Sequence, residues 1–286
     1  MIIFHDPRAA DYSRAGHVER PVRIAGSVAH LRAQHPGWTW REPIPADDVM
    51  LRRAHSAAYV ESVRIATSDF DADSPVYPDI FGHAARASVA AVEVAHAALQ
   101  QERSFSLMRP PGHHATREQA MGFCYFNHIA VAALDALENG ATRVAIWDFD
   151  AHHGNGTEDI VRGHSAITFA SIHQHPCYPG TGTRSFENIH NFPVPPGTPR
   201  TKHVQEVRRA LDVLLAADPD LLLVSAGFDA YAGDPITQMT LQAEDFATFG
   251  EWLRELQIPT GAILEGGYSD DLPQLIDAFL TAWSGE

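Results

Sequence analysis

The sequence predicts an α/β fold: a single domain spanning residues 1–286, with a mostly parallel central sheet and helices on both faces. Three observations carry that expectation. Apolar, β-rich runs alternate with stretches of helical periodicity. No repeat, low-complexity tract or polar linker divides the chain. Each β-rich run is followed at once by a short segment dense in Gly, His, Asp or Tyr.

In chain order, Phe105–Met108, Val144–Trp147, Ile167–Ile172, Leu221–Val224 and Ala262–Leu264 read as strands. Their apolar runs are near-continuous, as in strands covered on both faces. Between them, Ala84–Gln101, Phe126–Glu138, His203–Ala216 and Ala243–Leu256 read as helices. In the first helix Val89, Val92, Ala95, Ala98 and Leu99 fall near helical spacing, a core stripe. The segments after the strands are RPPGHHA, DFDAHHGNG, HQHPCYPGTG, SAGFDAYAGDP and EGGY. Open α/β sheets bind ligands at the carboxyl ends of their strands. Five such loops therefore point to one shared active site on that edge.

Composition narrows the classes. Hydrophobic content of 45% and a mean hydropathy of -0.18 describe a soluble globular chain. No apolar run approaches the roughly 18 residues of a membrane span. The start, MIIFHDPRAADY, lacks a basic stretch followed by an apolar one, so a cytoplasmic location is expected. The only cysteines, Cys124 and Cys177, form no disulfide framework, which fits a reducing compartment. A formal net charge of -15 repels nucleic-acid phosphate and anionic membranes. It suits cationic substrates and equally describes an ordinary acidic surface. His30, His35, His96 and His203 lie on helical stretches and are expected at the surface.

Asp148, Asp150 and His152 are spaced i, i+2, i+4, so on a strand they would share one face, with Phe149 and Ala151 opposite. Buried without a counter-charge, three such groups would be very unfavourable, and a divalent cation resolves this. The spacing also occurs in solvated turns. Calcium of the EF-hand type is excluded, because His153 and Asp159 stand where that loop needs Gly and Glu. Mixed Asp and His ligands suit catalytic zinc, and ferrous iron equally. Asp234, in the AGDP segment, is expected as the third ligand from another strand end. His113 and His114, after a Pro-Pro-Gly turn, can take and return a proton near neutral pH. Tyr268, after two glycines, presents a phenol at the same edge.

Together these motifs resemble the histone deacetylase family of the arginase/deacetylase fold, and in particular class II and bacterial deacetylase-like amidohydrolases. The matching pieces run in order from GHVERPVRI through RPPGHHA, GFCYFNHIAVAA, WDFDAHHGNGT, SIHQHPCYPGTG and SAGFDAYAGDP to LEGGY. The DxDxH pattern favours one metal, where the arginase branch uses DxHxD and two. The resemblance implies zinc on Asp150, His152 and Asp234, with His114 as general base and acid. His113, oriented by Asp148, would assist electrostatically; His114 would pair with Asn155. Tyr268 would hydrogen-bond the substrate carbonyl. Gly122, Phe123 and Tyr178 would line a narrow channel, with Leu241 at its mouth and Asp73 at its rim. Arg23 would lie in an inner cavity where acetate leaves. A structural potassium ion would sit by Asp148 and the backbone carbonyls near Asp150, His152, Ser171 and Ile172.

The expected reaction is hydrolysis of an acyl amide on a lysine-like peptide side chain or a small acylated amine. Zinc held by two carboxylates is a weakened Lewis acid, so a separate base and a separate carbonyl donor are needed. His113 beside a carboxylate is expected to be charged, and His114 beside an amide neutral. Cys124 reads as an apolar wall residue, since nothing suggests an activated thiolate. Rival readings are an acetylpolyamine hydrolase or esterase on the same site, and a catalytically silent acyl-lysine binder.

Overall fold

The computed structural model describes residues 1–44 and 48–286. Among the described residues, eight strands form one sheet: β1 (Ile2–Phe4), β2 (Thr39–Arg41), β3 (Ser104–Ser106), β4 (Val144–Asp148), β5 (Ile167–Gln174), β6 (Ile189–Val194), β7 (Leu221–Ala226) and β8 (Thr260–Leu264). Their order is β2-β1-β3-β8-β7-β4-β5-β6, and every neighbouring pair is parallel. The five strands expected from sequence are β3, β8, β7, β4 and β5, which are contiguous in the middle of the sheet. Their carboxyl-terminal loops therefore meet over one stretch of its edge.

Helices cover both faces. They are α1 (Val22–Gln34), α2 (Asp48–Ala54), α3 (Ala57–Arg64), α4 (Ile80–Leu99), α5 (His128–Glu138), α6 (Asn155–Val161), α7 (Arg200–Ala216), α8 (Ala243–Glu255) and α9 (Leu272–Ser284). Strand alternation decides which helix meets which face. Gly261 lies against Val94 of α4, so closely that a Cβ there would come within 2.4 Å of the Val94 side chain. Trp147 and Phe149 point the other way, packing on Phe249 of α8, and Phe149 also on Phe279 of α9. Both faces being dry explains why β4 and β7 are buried along their whole length.

His203, expected at the surface, is instead buried against the sheet side of α7. It falls on the face that also buries Val207, Ala210, Leu211 and Leu214.

Candidate active site

β4 ends at Asp148, so Asp150 and His152 lie in a bend beyond it rather than on a continuing strand. Backbone turns arrange them. The Asp150 N–H donates to Asp148 Oδ1 (3.1 Å) and the His152 N–H to Asp150 Oδ1 (2.9 Å). Phe149 and Ala151 still point into the core.

The third carboxylate beside this pair is Asp229, not Asp234. His152 Nδ1 lies 3.3 Å from Asp150 Oδ1 and 2.7 Å from Asp229 Oδ2. One ligand atom from each of Asp150, His152 and Asp229 falls within 4.8 Å of the others. Ligands about 2.0 Å from a tetrahedral zinc ion stand roughly 3.3 Å apart, so the set fits a small divalent cation with little adjustment. Burial, and then the neighbouring Asp150 carboxylate, push Asp229 up to about 7. That crowding of like charge is what a cation relieves. Asp234 is committed elsewhere: its Oδ2 accepts the Tyr268 N–H (2.8 Å) and its Oδ1 the Ile236 N–H (3.0 Å). It sets the backbone that carries the phenol.

The main chain closes on these carboxylates. The Gly266 N–H donates to Asp150 Oδ2 (2.7 Å), and the Ala151 N–H to Asp229 Oδ1 (2.7 Å). A Cβ on Gly227 would come within 2.0 Å of Asp150 Oδ2, and one on Gly266 within 2.5 Å of both Asp150 and Asp229. Only glycine permits that approach.

The two histidines have different partners. His113 Nδ1 donates to Asp148 Oδ2 (3.0 Å), and His114 Nδ1 donates to Asn155 Oδ1 (2.7 Å). Asn155 is oriented by its own Nδ2, which donates to the His114 carbonyl (3.3 Å). In a neutral His114 ring the proton therefore sits on Nδ1, leaving Nε2 free to accept another. For His113, burial favours the neutral ring, but Asp150 and then Asp148 outweigh it and raise it to about 10. For His114, burial and then the positive charges on His113 and His152 hold it well below the usual 6.5. A divalent cation at His152 would act on His114 with the same sign. The sequence did not single out Glu265, although it supports this loop. Its buried carboxylate accepts the N–H groups of Gly112 (2.7 Å) and His113 (3.1 Å) and the Ser225 hydroxyl (3.0 Å).

A cavity of about 230 Å³ opens onto His114, His152 and Tyr268. Gly122, Phe123, Tyr178 and Asp73 line it, as does Cys177. Gly122 and Phe123 are both left-handed, at φ 56° and 70°, and Gly122 lies so near His114 that a Cβ would meet its ring at 2.5 Å. Tyr178 packs edge-on against His114, and Phe123 against Tyr268. Ile236, not Leu241, occupies the apolar position in this lining. Leu241 is fully buried, bridged to the 230–232 backbone, with its N–H on Ala230 O (3.1 Å) and its carbonyl accepting the Ala232 N–H (2.8 Å). Ile236 directly follows Asp234 and Pro235, and the Asp234 bond to its N–H turns it toward the cavity. A larger groove of about 410 Å³ beside Met1, Arg103 and Trp283 gathers no comparable chemistry.

Arg23 lies behind Tyr268. Its guanidinium stands 4.7 Å from the Tyr268 ring centre and donates to the carbonyls of Gly267 and Glu265 (both 2.6 Å) and to Glu19 (3.1 Å). Burial pushes the Tyr268 phenol well above its ordinary range despite Arg23, which keeps it a donor. On the far side of Asp148, Ser171 is its neighbour in the β4–β5 register, and the Ser171 hydroxyl lies 3.0 Å from His173 Nδ1.

The fold agrees with what the chain is similar to. The histone deacetylase domain matches residues 17–283, and the chain belongs to that family. A probable deacetylase of Methanothermobacter thermautotrophicus is 36% identical over 100% of this chain and 91% of its own length. A histone deacetylase-like amidohydrolase of Pseudomonas aeruginosa is 34% identical over 92% of this chain and 74% of its own. The crystal structure of an acetylpolyamine aminohydrolase from Burkholderia pseudomallei superposes with a TM-score of 0.92 at 27% identity, covering 99% of this chain and 98% of that one. These names are those of hydrolases, and the chain is a hydrolase by its family.

Proposed function

We propose that the protein is a zinc-dependent deacylase that hydrolyses an N-acetyl or related acyl amide on a lysine-like amine to the free amine and carboxylate. The supporting observation is the convergence of the Asp150, His152 and Asp229 cluster with His114 and Tyr268 around one cavity. Asp150, His152 and Asp229 would hold the ion, which supplies Lewis acidity and a more acidic bound water. The same nitrogen and oxygen donors suit ferrous iron. Potassium is proposed beside Asp148, with the backbone near Asp150, His152, Ser171 and Ile172.

The chain's own residues do the rest. Gly122, Phe123 and Tyr178 take up an apolar methylene stem. Tyr268 donates to the acyl oxygen, where negative charge grows as the carbonyl carbon becomes tetrahedral. Neutral His114 accepts a proton from water at Nε2 and returns it to the departing amine. His113, held cationic by Asp148 and Asp150, keeps positive charge beside that step. Asp73 at the rim offers a carboxylate to substrate N–H groups or to a second ammonium. That last feature favours a second reading, a small acetylated polyamine, which the acidic surface also suits.

The test compares an acetyl-lysine peptide, an acetylated polyamine and an aryl acetate, using metal-stripped protein reloaded with zinc or iron. Amide turnover restored by metal is expected. Folded, metal-loaded protein that binds these amides without cleaving any would reduce it to an acyl-lysine binder.

A further inference from the structure

We propose that His153 is a positioning residue that latches the loop bearing Tyr178, through a hydrogen bond to Thr181. This rests on reading the cavity as the acyl-amine site. His153 follows His152 directly, yet its side chain points away from the cavity and is buried. Its Nε2 lies 3.1 Å from Glu158 Oε2 and its Nδ1 2.7 Å from Thr181 Oγ1. A carboxylate only accepts, so Nε2 carries a proton; in the neutral ring Nδ1 then accepts from the threonine hydroxyl. Glu158 is fixed in turn by Asn191 Nδ2 (2.7 Å) and Arg162 (2.9 Å).

The loop rests directly on imidazole. The His153 and His173 rings stand 4.6 Å apart, and His173 Nε2 donates to the Gly182 carbonyl at 3.0 Å. A Cβ on Gly182 would meet His153 at 2.5 Å and His173 at 2.6 Å. The other hydrogen bonds of the segment lie at its ends: Gln174 Nε2 donates to the Pro176 carbonyl (3.4 Å), Asn191 Nδ2 to the Arg184 carbonyl (3.0 Å) and the Asn191 N–H to Ser185 Oγ (2.9 Å). Among the described residues, 176–185 donate no backbone N–H to a backbone carbonyl. Thr181 is exposed, and Tyr178 is 37% exposed. The loop's cavity-facing side nevertheless carries Cys177 and Tyr178. The wall that holds the substrate stem is thus set from beneath by an imidazole whose neighbour in sequence serves the metal.

Thr181→Val removes the hydroxyl and keeps the shape, and Thr181→Ser restores the hydroxyl. The Val variant should raise KM for the acyl amine about fivefold, the worth of one ordinary hydrogen bond, with kcat within about twofold. Trypsin should cut after Arg184 faster in the Val variant, and the Ser variant should match wild type in both. Unchanged KM, whether or not cleavage quickens, overturns the proposal. So does a Ser variant that behaves like Val. If the wild type cleaves no acyl amide, the functional reading fails on its own; equal trypsin rates in all three proteins would then overturn the latch separately.

Discussion

The floor and the rim of the cavity are built differently. On the floor, Asp150 and Asp229 are fully buried, and each has an oxygen on a backbone N–H from another loop or turn. On the rim, Asp73, Tyr178 and Ile236 stand on loops, and Tyr178 is substantially exposed. Main chain fixes the groups that would perform the reaction, whereas exposed side chains meet the substrate first. Changes to the floor should therefore reach turnover, and changes to the rim should reach selection.

The sharpest break of that contrast is Asp229→Asn. It should lower metal content and reduce kcat by about 10³ or more, read by elemental analysis and turnover of the same preparation. Asp234→Asn is its control: metal should stay bound, while the displaced Tyr268 backbone costs roughly tenfold in kcat. Equal metal loss in both variants would return Asp234 to the ligand set.

Tyr268→Phe comes next. Removing a donor to the developing oxyanion should cost about 10²–10³ in kcat with metal content unchanged. Smaller again is Asn155→Asp. His114 is held low by burial and by nearby positive charge, so its neutral form persists below pH 6.5. A carboxylate at position 155 favours the imidazolium and raises that pKa. The acid limb of kcat/KM should therefore move to higher pH by about one unit. A limb that stays in place would show that another group controls it.

The mildest change is at the rim. Asp73→Asn should raise KM about threefold for an acetylated polyamine, with less effect on a neutral aryl acetate. Added salt should shrink the difference. An equal change for both substrates would remove charge from the rim's role.

The middle of the sheet was legible because β4, β5, β7 and β8 are covered on both faces and carry apolar runs, while the three-residue β3 was legible through the apolar Leu107 and Met108 that follow it. β1 and β2 span three residues each, too short to show a period, and β6 carries Pro193 on an edge. The site's histidines were legible because each lies in the loop that leaves the carboxyl end of a strand. The third carboxylate was not, because the loop after β7 offers two aspartates. The usable signal was distance from the strand: Asp229 follows Ala226 closely, as Asp150 follows Asp148, whereas Asp234 lies past a further turn. Leu241 was misplaced for a related reason. The chain doubles back through the Tyr231–Leu241 bridge, which carries Leu241 away from the mouth and into the core. Glu265 gave no warning at all, since one carboxylate beside two glycines does not announce which amides it will receive.

The turn after β8 serves four tasks in as many residues. Glu265 braces the His113 loop, Gly266 grips Asp150, Gly267 receives Arg23, and Tyr268 supplies the phenol. A change that moves the backbone of any one member would disturb the other three, whereas Tyr268→Phe, which removes only a hydroxyl, would leave them in place. Free-energy penalties measured singly within this turn should therefore fail to sum, with double variants losing less than their separate losses imply.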